Sequence, residues 1–466
     1  MKHFFSLLLF SIVALFANGN NITVANATLS GQNTVSHYTL INFDISWENS
    51  WRTSTNENNY DGAWIFVKYR KNSTSDWRHC TISSTGNTSA SGSTFYIPSD
   101  NKGAFIYRSS DGIGNVNWVN NQLQWNYGVD GLLDNETVEI KVFALEMVYI
   151  PQGSFQLGSG GSETKYFMDG TTSNPYTVGN NNEITLGTGP GQLNPNGAGA
   201  AAGTLSVDFP KGYKAFWIMK YEISQQQFAD FLNNIDETRA TVNKPVSAIT
   251  GIHPNLIAAA PESAIGYLNT SHIAAISDWS GLRPMTELEY EKACRGYNTP
   301  AVPNEYVWGN TQIFPLTSVN DQGTANEAVN APANANATIN SQFPFPTRTG
   351  LFARSSGSTR ELSGGTYYGV MNMGDNVREL CIVIRSSQGR DFTDGIHGDG
   401  YLASSGSSNI TTWASFQAYG YRGSSYNSPY GYACTSDRSS VSIYTEVYGY
   451  DAHLPDTGGR LVRTEQ

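Results

Sequence analysis

Leu282-Arg283-Pro284-Met285-Thr286-Glu287-Leu288-Glu289-Tyr290-Glu291-Lys292-Ala293-Cys294-Arg295-Gly296 reads as one complete, capped helix. Thr286 is its N-cap, and Glu289, three residues on, closes a capping box. Met285 and Tyr290 form a hydrophobic staple across the start, and Gly296 stands just past a basic last turn. Cys294 falls on the inward side, where a packed free thiol is expected.

The same signals recur upstream. Phe216-Trp217-Ile218-Met219-Lys220-Tyr221-Glu222-Ile223 reads as a strand, followed by a helix that Ser224 caps and Gln227 boxes. Ile223 staples to Phe228, and Phe228, Phe231 and Leu232 supply the apolar stripe. Another strand opens at Met147-Val148-Tyr149-Ile150 and runs on to Gly158. Between these, Ser159 to Val207 is rich in Gly and Asn and cannot bury enough apolar surface to order itself alone, so an inserted loop is expected. Asn310 to Thr347 reads as a second polar insertion.

From about Asn20 to Phe143, short β-type runs alternate with turn clusters. The runs are Tyr38 to Trp47, Ala63 to Tyr69, Trp77 to Ile82, Ala104 to Tyr107, Gln122 to Trp125 and Val138 to Phe143. That spacing predicts a β-sandwich, with the tryptophans as core and the whole as a stalk or adaptor. The expected organisation is a sandwich over 20–145 and a second domain over 146–466.

Composition agrees with a loop-rich β or α+β chain. Of 466 residues only 14% are charged, while 12% are aromatic and 46 are Gly. The net charge of -11, with no Lys/Arg cluster, argues against a nucleic-acid partner. Lys2, His3, an apolar run from Phe4 to Phe16 and small residues at Ala17 and Gly19 form a secretory signal peptide over 1–19, which predicts export to the periplasm, cell surface or medium. Nothing later approaches 18 consecutive apolar residues, so no membrane span is expected. Cys80, Cys294, Cys381 and Cys434 are too widely spaced for a zinc or redox motif or a disulfide framework.

The helix at 282–296 is similar to the signature helix of the formylglycine-generating enzyme (sulfatase-modifying factor) family. Further matching segments follow in order: the strand at 147–158, the strand and helix at 216–232, and Tyr306-Val307-Trp308-Gly309. Gly369 to Leu380 resembles the family's Asn-Val-Trp-Glu-Trp region, with Arg378 and Leu380 in place of the two tryptophans, and Arg422-Gly423-Ser424-Ser425 to Gly459-Arg460 resembles its terminal frame. The likeness spans roughly Met147 to Arg463 and implies an α+β fold of the C-type-lectin-like kind.

That family oxidises sulfatase cysteines with copper held by two cysteines of its own. Those positions carry over to Tyr430 and Thr435, with Cys434 adjacent but out of register. One thiolate cannot form a bis-cysteine Cu(I) site, so copper is not expected here. An iron site of the wider superfamily finds no His-x-x-x-His or His-x-Asp/Glu pair in the family-like core. Calcium is the metal the resemblance implies, with Asp375, Asn376, Val377 and Glu379 as its ligand segment. Asp394 to Gly400 looks like a calcium loop, but its spacing completes no motif and an ordinary loop is expected.

Tyr426 to Thr457 is unlike the rest. It carries Tyr at 426, 430, 432, 444, 448 and 450, many Ser, and Asp at 437, 451 and 456, which is the composition of an antibody paratope. It lacks Lys, Gln, Trp and Met, and resembles the variable region of proteins diversified by retroelements. The reading is a secreted, catalytically silent binding protein that presents Tyr426, Tyr430, Tyr432, Asp437, Tyr444, Tyr448, Tyr450 and Asp451 to a macromolecular ligand, a protein or a cell-surface glycan. The alternatives are a sulfur-modifying oxidase that uses Cys434, and a structural component of the cell envelope or gliding apparatus.

Overall fold

Alternation along one strand explains how the two halves of the chain meet. In Asp61–Arg70, Ala63, Ile65 and Val67 join a core with Ile41, Phe43, Ile45 and Trp47 of Tyr38–Arg52 and with Val116, Trp118, Leu123 and Trp125 of Gly112–Trp125. Trp64 and Phe66 point the other way, into a core shared with Met147, Trp217 and Trp279. A strand covered on both faces is largely apolar, and nine of its ten residues are buried, with Asp61 and Lys68 as the charged ones among them. The structure is a computed structural model that describes residues 22–72, 76–197, 202–297, 299–353, 359–413, 416–441 and 453–465. The signal-peptide segment and Tyr444, Tyr448, Tyr450 and Asp451 lie outside the described residues.

One sheet of the N-terminal sandwich runs Thr23–Asn33, Tyr38–Arg52, Gly112–Trp125. The other is not confined to that region. It is eight-stranded, in the order Arg283–Pro284, Leu461–Thr464, Phe216–Met219, Glu139–Ile150, Asp61–Arg70, Ala104–Arg108, Ser93–Tyr96, with Arg78–His79 paired to the side of Asp61–Arg70. Glu139–Ile150 pairs along its length with Asp61–Arg70, and its last residues, Met147 to Ile150, pair on the opposite edge with Phe216–Met219. The expected boundary at 145/146 therefore falls inside a strand, and the sandwich shares a sheet with its neighbour. Nothing in Glu139-Ile140-Lys141-Val142-Phe143-Ala144-Leu145-Glu146-Met147-Val148 breaks a strand, which is why pairing runs straight through.

The seam is also pinned by polar groups. The Trp64 indole N–H donates to the Ser280 carbonyl at 2.8 Å, and the Asn59 amide donates to Tyr368 O at 2.8 Å. Phe105 stacks on Trp217 with centroids 4.2 Å apart. The Lys220 ammonium sits 3.1 Å from both Asp61 and Glu146, all three almost fully buried.

The capped helices form as the sequence predicts. Glu289 N donates to Thr286 Oγ1 (3.2 Å) while Thr286 N donates to the Glu289 carboxylate (3.0 Å), which starts the helix Glu287–Arg295. Ser224 and Gln227 do the same for Gln225–Asn233. A third helix, Thr270–Ser280, has Asn269 as cap and His272 closing the box, a pairing outside the usual Glu/Gln pattern, and stops at Gly281 with φ of 73°.

The insertion at 159–207 is more ordered than expected. Tyr176–Val178 pairs with Phe155–Leu157, and Met168–Asp169, Leu193–Asn194, Ile184–Leu186 and Gly203–Leu205 form a small sheet. Phe167, Val178, Ile184, Leu186, Leu193 and Leu205, widely separated in sequence, all dock on the main core. A segment too polar to fold alone is thus ordered by a surface that is already there. The second insertion holds a hairpin of Ser318–Asn320 and Ala328–Ala331, and Leu316, Ala335 and Phe343 pack with Leu351 and Phe352 in a core of their own. No helix among the described residues is long and apolar enough to cross a membrane.

Candidate functional site

The helix Glu287–Arg295 is buried on every side, including its charged residues. Arg422 reaches the carboxylates of Glu287 (3.3 Å) and Glu291 (2.8 Å). Arg438 also holds Glu287, at 2.8 Å, and Arg295 bridges Glu291 (3.2 Å) and Glu305 (2.6 Å). Burial opposes ionisation of Glu287, but Arg438 and Arg422 outweigh it and hold its carboxyl below the usual range. This network anchors both ends of the segment Arg422 to Arg438.

Laid over that anchor, the segment divides into inward and outward residues. Thr435 is 1% exposed, its N–H donates to Glu305 O (2.8 Å) and its carbonyl accepts from Arg422 (2.8 Å). Cys434 is 7% exposed, with its sulfur 3.6 Å from the Asn304 carbonyl. Burial, reinforced by Glu163, Asp437 and Glu305, pushes its thiol up to about 12, so it stays protonated at neutral pH. Tyr430 and Tyr432, in the 3-10 turn Tyr430–Ala433, are half-buried, and Tyr430 packs at the edge of a core that Tyr306 and Ile313 also pack against.

Two of the residues read as ligand contacts prove to be interior. Tyr426 is 9% exposed, its N–H bonded to Asn376 O (2.8 Å). Asp437 is 7% exposed, and its carboxylate accepts from Thr164 N, Ser439 N and Ser439 Oγ. Both hold the segment in place, which leaves Tyr430 and Tyr432 as the open members of the set among the described residues.

The calcium set does not fit an ion in this arrangement. The Glu379 carboxylate accepts three bonds of 2.6 to 2.8 Å from the Arg460 guanidinium, which acts as its counter-ion. Asp375 accepts from Thr338 N at 2.7 Å, and Asn376 accepts from Thr347 N at 2.8 Å while donating to Glu222 at 2.6 Å. Val377 N also donates to Glu222 (3.0 Å), so this region is a hydrogen-bonded turn rather than a cage of free oxygens. Asp394 of the calcium-like loop is paired with Lys214 at 2.8 Å.

Sequence reasoning missed what lies beside Tyr430. Asn340 N and Ser341 N donate to Ser428 O and Tyr426 O, Leu316 N donates to Ala337 O, and Tyr306 is bridged to Cys434. Three stretches are thereby drawn together, 306–320, 328–347 and 423–436, and none contains Asp, Glu, Lys or Arg. In a chain with 14% charged residues that blank was countable from the sequence.

A family model described as the Sulfatase-modifying factor enzyme 1-like domain matches residues 135–440, more than half of the chain. The match starts just before the shared strand Glu139–Ile150. No curated protein matches the chain.

Proposed function

The chain belongs to the Sulfatase-modifying factor enzyme 1-like family, and from that premise we propose that it is an exported, non-catalytic binding protein whose ligand rests on Tyr430 and Tyr432, together with the tyrosines at 444, 448 and 450. One observation carries the reading. At the two positions where the family resemblance places copper-binding cysteines, this chain has a half-open tyrosine and a threonine locked by its backbone, Tyr430 and Thr435. The adjacent Cys434 is a protonated thiol facing a carbonyl, without a second sulfur in register. What replaces the redox pair is ring surface on a framework of buried arginines. A rigid frame under amphipathic rings is a suitable platform for recognition, and its composition matches that of retroelement-diversified segments.

The test pairs two measurements on the purified chain. Incubated with Cu(I), oxygen and a cysteine-bearing sulfatase peptide, it should form no aldehyde; formation that is lost in Cys434→Ser would sink the proposal. Tyr430→Ala/Tyr432→Ala should keep the melting temperature near that of the parent and lose the ligand.

A further inference from the structure

We infer that the face around Tyr430 takes a neutral glycan; the inference rests on the binding reading above and names its ligand class. The face is assembled from the three uncharged stretches 306–320, 328–347 and 423–436, tied together by the backbone bonds of Asn340, Ser341 and Leu316. Its rings include Tyr306, Tyr430 and Tyr432, all half-buried, and Phe345, which is 52% exposed. Its amides include Asn427 and Gln342, both exposed. The Asn427 carbonyl oxygen accepts from Ser341 Oγ at 2.7 Å, which fixes the amide in orientation. Of the charges that flank these stretches, Glu305, Glu327, Arg422, Asp437 and Arg438 are buried, Arg348 Nε donates to Glu327 O, Glu361 is engaged by the Asn310 amide, and Asp321 is exposed at the end of the first stretch.

The chemistry selects the partner. A protein surface carries roughly a quarter charged residues, and those pressed against this face lose their water without gaining an opposite charge. Nucleic acid and acidic polysaccharide fail for the same reason. A neutral sugar offers what the face accepts: C–H groups with positive edges that sit on the negative faces of rings, and hydroxyls that both donate and accept, as side-chain amides do. An uncharged contact of this kind is also insensitive to ionic strength.

Affinity electrophoresis of the full chain in gels containing soluble β-glucan, mannan or galactan, with alginate as the acidic comparison, tests the assignment. At least one neutral polysaccharide should retard the protein equally at low and high salt. Phe345→Ala and Tyr432→Ala, both outside the core, should weaken that retardation about tenfold, while Tyr401→Ala, exposed elsewhere, should leave it unchanged. No retardation by any neutral polysaccharide, or retardation by alginate alone that salt abolishes, overturns the inference. A protein ligand that depends on Tyr432 would also overturn it while leaving the binding reading standing; aldehyde formation on a cysteine peptide would remove both.

Discussion

The interior around Glu287–Arg295 and the surface around Tyr430 are separated by one layer of chain, yet they are chemical opposites. Inside, Glu287, Glu291, Arg295, Arg422 and Arg438 are fully or almost fully buried and paired. Outside, three stretches have no charge at all. Buried ion pairs are weak sources of net stability, but breaking one is costly, so they select a single arrangement of the segments they join. The difference teaches a division of labour: charge fixes where the segment Arg422 to Arg438 lies, and its absence above sets what the proposed binding face would accept.

Several substitutions would break or sharpen that contrast. The largest effect is expected from Arg422→Met, which leaves Glu287 and Glu291 short of a partner in the interior; urea unfolding should show a loss of about 3–5 kcal/mol. Glu379→Gln should cost about 3 kcal/mol by stranding the Arg460 guanidinium, whether or not calcium is present. A calcium-dependent rise in the parent's melting temperature would instead show that the turn at 375–379 opens to bind the ion.

Lys68 breaks the pairing rule, as Lys211 and Lys292 also do, each buried with its amine on a backbone carbonyl. The Lys68 amine is buried against Gly400 O (3.1 Å) and the Trp279 ring, and burial drives its pKa down to about 7. Because the folded value lies below the unfolded one, the penalty is complete below pH 7 and fades as pH rises toward 10.5. Lys68→Met should therefore stabilise the protein by on the order of 2 kcal/mol below pH 7 and progressively less above it, as read from unfolding midpoints across pH. The smallest stability change belongs to Tyr432→Ala, within about 0.5 kcal/mol, and this variant should show its defect only in ligand binding.

How much of this was legible follows from distance along the chain. Caps are local, so Thr286–Glu289 and Ser224–Gln227 could be read from the sequence, and the motif order pointed to the family. The burial of the helix's polar side could not be read, since Arg422 and Arg438 arrive from more than a hundred residues away. The paratope-like composition was visible, but not that Tyr426 and Asp437 face inward, because tyrosine and aspartate serve equally well as contacts and as anchors. Glu139–Ile150 was divided between two domains because its halves belong to different motifs, although its residues form one unbroken β-type run.

That shared strand has a mechanical consequence. A pull applied to the N-terminal sandwich while the tyrosine face is gripped would cross from Asp61–Arg70 through Glu139–Ile150 to Phe216–Met219 as shear along backbone ladders. Because the pairing is continuous across the seam, force would reach the proposed recognition surface with its orientation preserved.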